Sequence, residues 1–120
     1  MNPGIIIKDP TDRMEQCINE KKLKTEELNA AMDDYISLKL QYAQKNNELL
    51  LTTNFKEVLN ESKPTVAMKE AWIENQLFDL KTELNIAEVN VKTIKKAIEI
   101  INDEIKLWEY KCKIYLMDQE

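Results

Sequence analysis

Histidine is absent from the 120-residue chain. With it goes the commonest general base, and with it any Ser–His or Cys–His nucleophile pair. Glycine occurs once, at Gly4, so the glycine-rich loops that cradle phosphates in P-loop and dinucleotide-binding proteins cannot be built. Arginine also occurs once, at Arg13, and every other basic residue is a lysine. A single guanidinium fork equips a chain poorly to read bases or to grip phosphates in pairs of bonds. Two cysteines without a histidine leave a zinc site half built, and the Glu-x-x-His motif of di-metal bundles cannot occur. No stretch approaches the roughly 20 apolar residues of a membrane-spanning helix. These absences point to a non-enzyme with no metal and no cofactor.

What the chain does have is apolar and charged residues in about the proportion of long helices, 43% and 32%, with only three prolines. Its second half carries the clearest pattern. Ile73, Leu77, Leu80, Leu84, Ala87, Val91, Ile94, Ile98, Ile101, Ile105, Trp108, Cys112 and Tyr115 follow one another at spacings of four and three. Such a row is a helix with a narrow apolar seam, written to lie against another helix.

The first half supplies a partner. Asp9-Pro10-Thr11-Asp12 is a helix start, with a capping residue, proline at the first position and acid in the first turn. Leu28, Ala31, Tyr35, Leu38, Tyr42 and Leu49 then repeat at heptad spacing, while Lys21, Lys22 and Lys24 dilute the same face upstream. Between the halves, Thr53-Asn54 with Glu57 forms a capping arrangement, and Pro64 discourages helix at Lys63. Phe55, Val58 and Leu59 are placed to plug the end of a chain reversal. The expected organisation is an N-terminal arm over 1–8 and one helical-hairpin domain over 9–120. Within it a helix of about 10–51, a connection of 52–65 and an unbroken helix of about 66–117 follow in order.

Charge selects the direction of packing. In a parallel homodimer of the second helix, Glu83 would meet Glu88 of the other copy and Glu104 would meet Glu109, both repulsive. An all-α antiparallel two-helix hairpin is therefore expected. A second row, Ile86, Val89, Ile100, Leu107, Tyr110, Ile114 and Met117, lies on another side of the same helix. A helix apolar on two sides is sandwiched. The expected consequence is self-association, most simply a dimer of hairpins completing a four-helix bundle, with Ile86, Ile100, Leu107, Tyr110 and Ile114 as the oligomer or partner face.

Two charged groups offer further readings. Glu26, Glu27, Asp33 and Asp34 form a candidate acidic docking patch on the first helix, for which a solvated face is the plainer account. Lys92, Lys95 and Lys96 are candidate nucleic-acid contacts, although the net charge of −5 gives no long-range attraction for phosphate. Cys17 and Cys112 fall near neighbouring ends of the hairpin and read as small core residues, reduced in a cytoplasmic setting.

The run Phe55-Lys56-Glu57-Val58-Leu59, followed by Lys63-Pro64-Thr65 and Lys69-Glu70-Ala71, resembles small helical-hairpin proteins of unknown role carried by phages and mobile elements of Gram-positive bacteria. The resemblance covers the middle third of the chain and brings no site residues. It implies a host cytoplasm and an accessory role in DNA metabolism or in blocking a host defence. The expected function is a non-catalytic protein–protein interaction or scaffold module. The alternatives are an acidic, nucleic-acid-mimicking inhibitor of a host nucleic-acid-binding protein and an accessory single-stranded nucleic-acid-binding protein. Neither a membrane nor a cofactor is expected as a partner.

Overall fold

The computed structural model describes residues 10–119; the expected arm over 1–8 and the expected cap at Asp9 lie outside the described residues. Those residues are all helix and connection, with no strand among them: α1 (Pro10–Thr52), α2 (Phe55–Val58), α3 (Val66–Gln76) and α4 (Phe78–Gln119). The two long helices pack on each other, as Arg13 with Glu104 and Tyr42 with Lys81 show. They gather into two compact units where the sequence suggested one domain. One unit joins α1 as far as Ala30 to α4 from Lys92; the other is the continuous stretch Ala31–Val91.

The unit of residues 31–91 contains the chain reversal. Asn54 opens α2 by accepting a hydrogen bond from the Glu57 backbone N–H at 3.4 Å, and its amide donates to the Glu57 carboxylate at 3.3 Å. The short helix closes without glycine. Asn60 takes the left-handed backbone (φ 49°), and the N–H groups of Asn60 and Glu61 donate to the carbonyls of Glu57 and Lys56. Asparagine is the residue that most readily replaces glycine at such a stop. Thr65 then caps α3, its hydroxyl accepting from the Met68 N–H at 3.2 Å.

These turns bring Phe55, Ile73 and Leu77 into one buried cluster, with Tyr42, Leu49, Leu59 and Trp72 packed around it. Phe55 and Trp72 meet edge to face at 5.7 Å between centroids, a favoured aromatic geometry. Phe55 and Leu59 thus act as the expected plug, whereas Val58 turns outward and is 48% exposed.

The helix expected to run unbroken from 66 is divided at Leu77. There the backbone moves to φ −99°, ψ 16°, yet the Leu77 N–H still donates to Ile73 and the Lys81 N–H to Leu77. The break is a one-residue loosening with no proline or glycine behind it. It leaves Leu77 turned into the cluster and Phe78 largely exposed.

In the other unit α1 and α4 run antiparallel: Thr11 lies beside Cys112, and Arg13 and Cys17 both reach Glu104. Its buried residues are Cys17, Ile94 and Ile101.

Candidate interaction surface

The heptad seam of α3 and α4 is turned inward. Ile73, Leu77, Leu84, Val91, Ile94 and Ile101 are buried, and Leu80, Ile98, Ile105 and Trp108 are half-buried. The α1 row behaves alike: Ala31 is buried, and Leu28, Tyr35, Leu38, Tyr42 and Leu49 are half-buried.

The second row of α4 is turned out. In the unit that holds the end of α4, Ile100 is 57% exposed, Leu107 50%, Tyr110 64%, Ile114 42% and Met117 71%. Each stands two positions after a seam residue, or about 200° round the helix at 3.6 residues per turn. The two rows therefore lie on nearly opposite sides of α4. Asp103 and Lys96 occupy the same outer row, both exposed. In the other unit Ile86, 65% exposed, lines a shallow groove on α4 with Thr82, Asn85 and Val89.

A second apolar surface lies at the chain reversal. Leu59, Met68, Ala71, Trp72 and Phe78 line an open groove of about 580 Å³ together with Glu74 and Asn75. Leu59, expected to plug the end of the reversal, is one of its members, and Trp72 stands off the seam beside the loop.

Charged candidates are placed less favourably. Glu26 and Glu27 belong to one unit and Asp33 and Asp34 to the other. All four are exposed, and Glu27 is engaged by Lys24 at 2.9 Å. Lys92, Lys95 and Lys96 are exposed on α4, in a stretch that also carries Glu99 and Asp103. Lys111 folds its ammonium over the Trp108 ring, 4.2 Å from the centroid.

The polar centre of the unit is one that sequence reasoning missed. Arg13 donates to the Glu104 carboxylate at 3.3 Å and to the Gln16 side chain at 3.1 Å, with Glu20 at 3.9 Å. Cys17, fully buried, donates its thiol to the same Glu104 oxygen at 3.5 Å. Cys17, Glu20 and Glu104 could offer three ligand atoms within 4.8 Å of one another. Arg13 already lies against both carboxylates, so the positive charge they attract is supplied by the chain itself. Burial raises the Cys17 thiol above its ordinary 9.0, and the hydrogen bond to Glu104 raises it further against the opposing pull of Arg13. A thiol held protonated is a poor nucleophile and a poor ligand. The signal available in the sequence was the solitary arginine, placed by antiparallel packing near the second glutamate-rich turn of α4. Cys112 lies instead against Thr11, eight residues or about 12 Å along α4 from Glu104. Both cysteines are free.

No family model, no curated protein and no solved structure matches the chain. The reading of the surface therefore rests on its own chemistry. Among the described residues, no buried side-chain nitrogen or oxygen lacks a hydrogen-bond partner. What distinguishes the surface is apolar area. From Leu107 to Met117 the outer row is uninterrupted by charge, and exposed apolar residues grouped in this way mark interaction sites.

Proposed function

We propose that this protein is a non-catalytic protein–protein interaction module that works through the outer row of α4. The observation that carries the proposal is the opposition of two apolar rows on one helix. The seam is covered by α1, while Ile100, Leu107, Tyr110 and Ile114 stand exposed at the same heptad spacing. A monomeric helical protein gains nothing from a second seam in water, and an association partner gives it a purpose. Self-association of two hairpins is the assembly we favour. The setting implied by the resemblance to phage and mobile-element proteins, a bacterial host cytoplasm, belongs to this proposal.

The competing readings draw less support. An acidic docking patch is weakened by the Lys24–Glu27 pair. A nucleic-acid surface is weakened by Glu99, Asp103, Glu104 and Glu109 standing among the lysines of α4, because phosphate attraction follows clustered positive charge.

The test compares the full chain with a Leu107→Asp/Tyr110→Asp variant in two assays. One is solution mass at micromolar concentration; the other is affinity capture from lysate, with and without nuclease. The proposal expects the wild type to form an oligomer or to hold a protein in both nuclease arms, and the variant to lose that association. A folded variant whose mass and catch both equal the wild type's would overturn it, as would a catch that vanishes with nuclease.

A further inference from the structure

The outer row is self-complementary in one direction only, and from this we infer that its occupant is a second copy of α4 running antiparallel. The inference rests on the proposed role of that row and names its partner. Between Ile100 and Met117 the row's heptad positions are Ile100, Asp103, Leu107, Tyr110, Ile114 and Met117. A twofold axis passing between Trp108 and Glu109 exchanges Leu107 with Tyr110 and Ile100 with Met117. In these two layers apolar residues meet apolar residues, and each contact recurs on the other side of the axis. The same axis sets Asp103 level with Ile114, one residue from Lys113 of the other copy, and brings Glu104 towards Lys111.

Parallel pairing fails on charge. It would stack Asp103 on Asp103 and Lys96 on Lys96 at row positions, and would set Glu99 against Glu104 and Lys106 against Lys111 along the flanks. Antiparallel pairing removes every one of these clashes and introduces others of its own, Lys106 near Lys113 among them. Acidic Glu99 and Asp103 stand at the start of the row, and Lys106, Lys111 and Lys113 stand further along it. Head-to-tail overlap is what brings the two signs together. Because the outer row lies about 200° from the seam, the second copy is seated across α4 from α1. Around this contact the helices follow the order α1, α4, α4, α1. This layer differs from the closed four-helix bundle expected from the sequence.

The experiment places a spin label at Lys95→Cys in a full-length chain whose Cys17 and Cys112 are serine, and measures mass and label separation together. The antiparallel register puts the two labels 27 residues apart along the helix axis, about 40 Å. Parallel pairing would put them within about 20 Å. A mass of two chains with the long separation, abolished by Leu107→Asp in a chain that keeps its helical circular dichroism, supports the inference. A mass of two chains with the short separation overturns the inference and leaves self-association standing. A dimer indifferent to Leu107→Asp also overturns it, by placing the contact on another face. A mass of one chain at high micromolar concentration would sink the inference and self-association together.

Discussion

The stretch Ala31–Val91 and the unit made from the two chain ends solve the same problem with different means. Both must hold α1 against its antiparallel neighbour. The first does so around the chain reversal, where four helices contribute and a buried apolar cluster of Phe55, Ile73 and Leu77 forms with Tyr42, Leu49, Leu59 and Trp72 against it. Among the described residues the second is built from α1 and α4, buries Cys17, Ile94 and Ile101, and centres on an arginine between two carboxylates. Two helices enclose little volume, and a thin core leaves apolar surface outside. The paired ends carry Ile100, Leu107, Tyr110, Ile114 and Met117 on their outer side, and the reversal, although its central cluster is buried, leaves Met68 and Phe78 exposed in an open groove.

The two units differ most at Ile73, which is 2% exposed at the centre of the reversal cluster. Ile73→Ala removes buried methyl groups and leaves a cavity, at a cost of about 3 kcal/mol. Ile100→Ala, on the outer row, costs less than about 0.5 kcal/mol in the dissociated chain. Urea unfolding at low protein concentration measures both. Equal losses at the two positions would show that the outer row is as much part of the fold as the cluster, and the contrast between the units would fall.

Much of this was legible in the sequence. The heptad row from Ile73 to Trp108 foretold which side of α3 and α4 would be covered, since each of its residues is buried or half-buried. The +2 offset of Ile100, Leu107 and Ile114 foretold the side left out. The capping roles of Asn54, Glu57 and Thr65 were readable because side-chain caps are local, decided within three or four residues. Three features were not readable, and each depends on residues distant in sequence. The division at Leu77 has no local breaker, and only the pull of the Phe55 cluster marks the place. Val58 looks as apolar as its neighbours, and it is left outside because Phe55 is the α2 residue that packs on Ile73 and Leu77. The Arg13–Glu104 contact spans 91 positions, and it becomes visible only once the register of two helices is known.

A gentler perturbation sharpens the contrast from the other side. Cys17, Lys21, Lys24 and Leu28 fall at successive seam positions of α1, so two lysines stand where the paired ends need apolar cover. Yet Ile94 and Ile101, on the facing seam of α4, are 5% and 8% exposed. Lysine stems can shield apolar surface while their ammonium groups reach water. Replacing both, Lys21→Leu and Lys24→Leu, deepens that core and gives up the exposed Lys24–Glu27 pair, which contributes a few tenths of a kcal/mol. A net gain of about 1 kcal/mol is expected. Hydrogen exchange should show the gain in residues 10–30 and 92–119 and little change around Phe55. A loss of stability would mean that those seam positions are already filled.

The smallest expected effect concerns Cys17, a titrating group buried in the paired ends. Burial, then the Glu104 hydrogen bond, raise the Cys17 thiol in the folded chain above its ordinary 9.0. The unfolded chain therefore releases this proton first as the pH climbs. Where the folded state binds more protons than the unfolded one, stability falls with rising pH. The contribution is intact below about pH 9 and drains away above it, through the raised folded value. The wild type is read against Cys17→Ser, which keeps a donor for Glu104 but no group ionising there. Urea unfolding between pH 7 and pH 10.5 should show a steeper alkaline loss for the wild type, with the two curves parallel below pH 8. A thiol reagent gives an independent reading. Cys112, only half-buried against Thr11, should react well before Cys17. Parallel loss across the whole range, with both thiols reacting together, would show that Cys17 is open to water. The polar centre of the paired ends would then be a surface feature, and the contrast with the sealed Phe55 cluster would be larger than drawn.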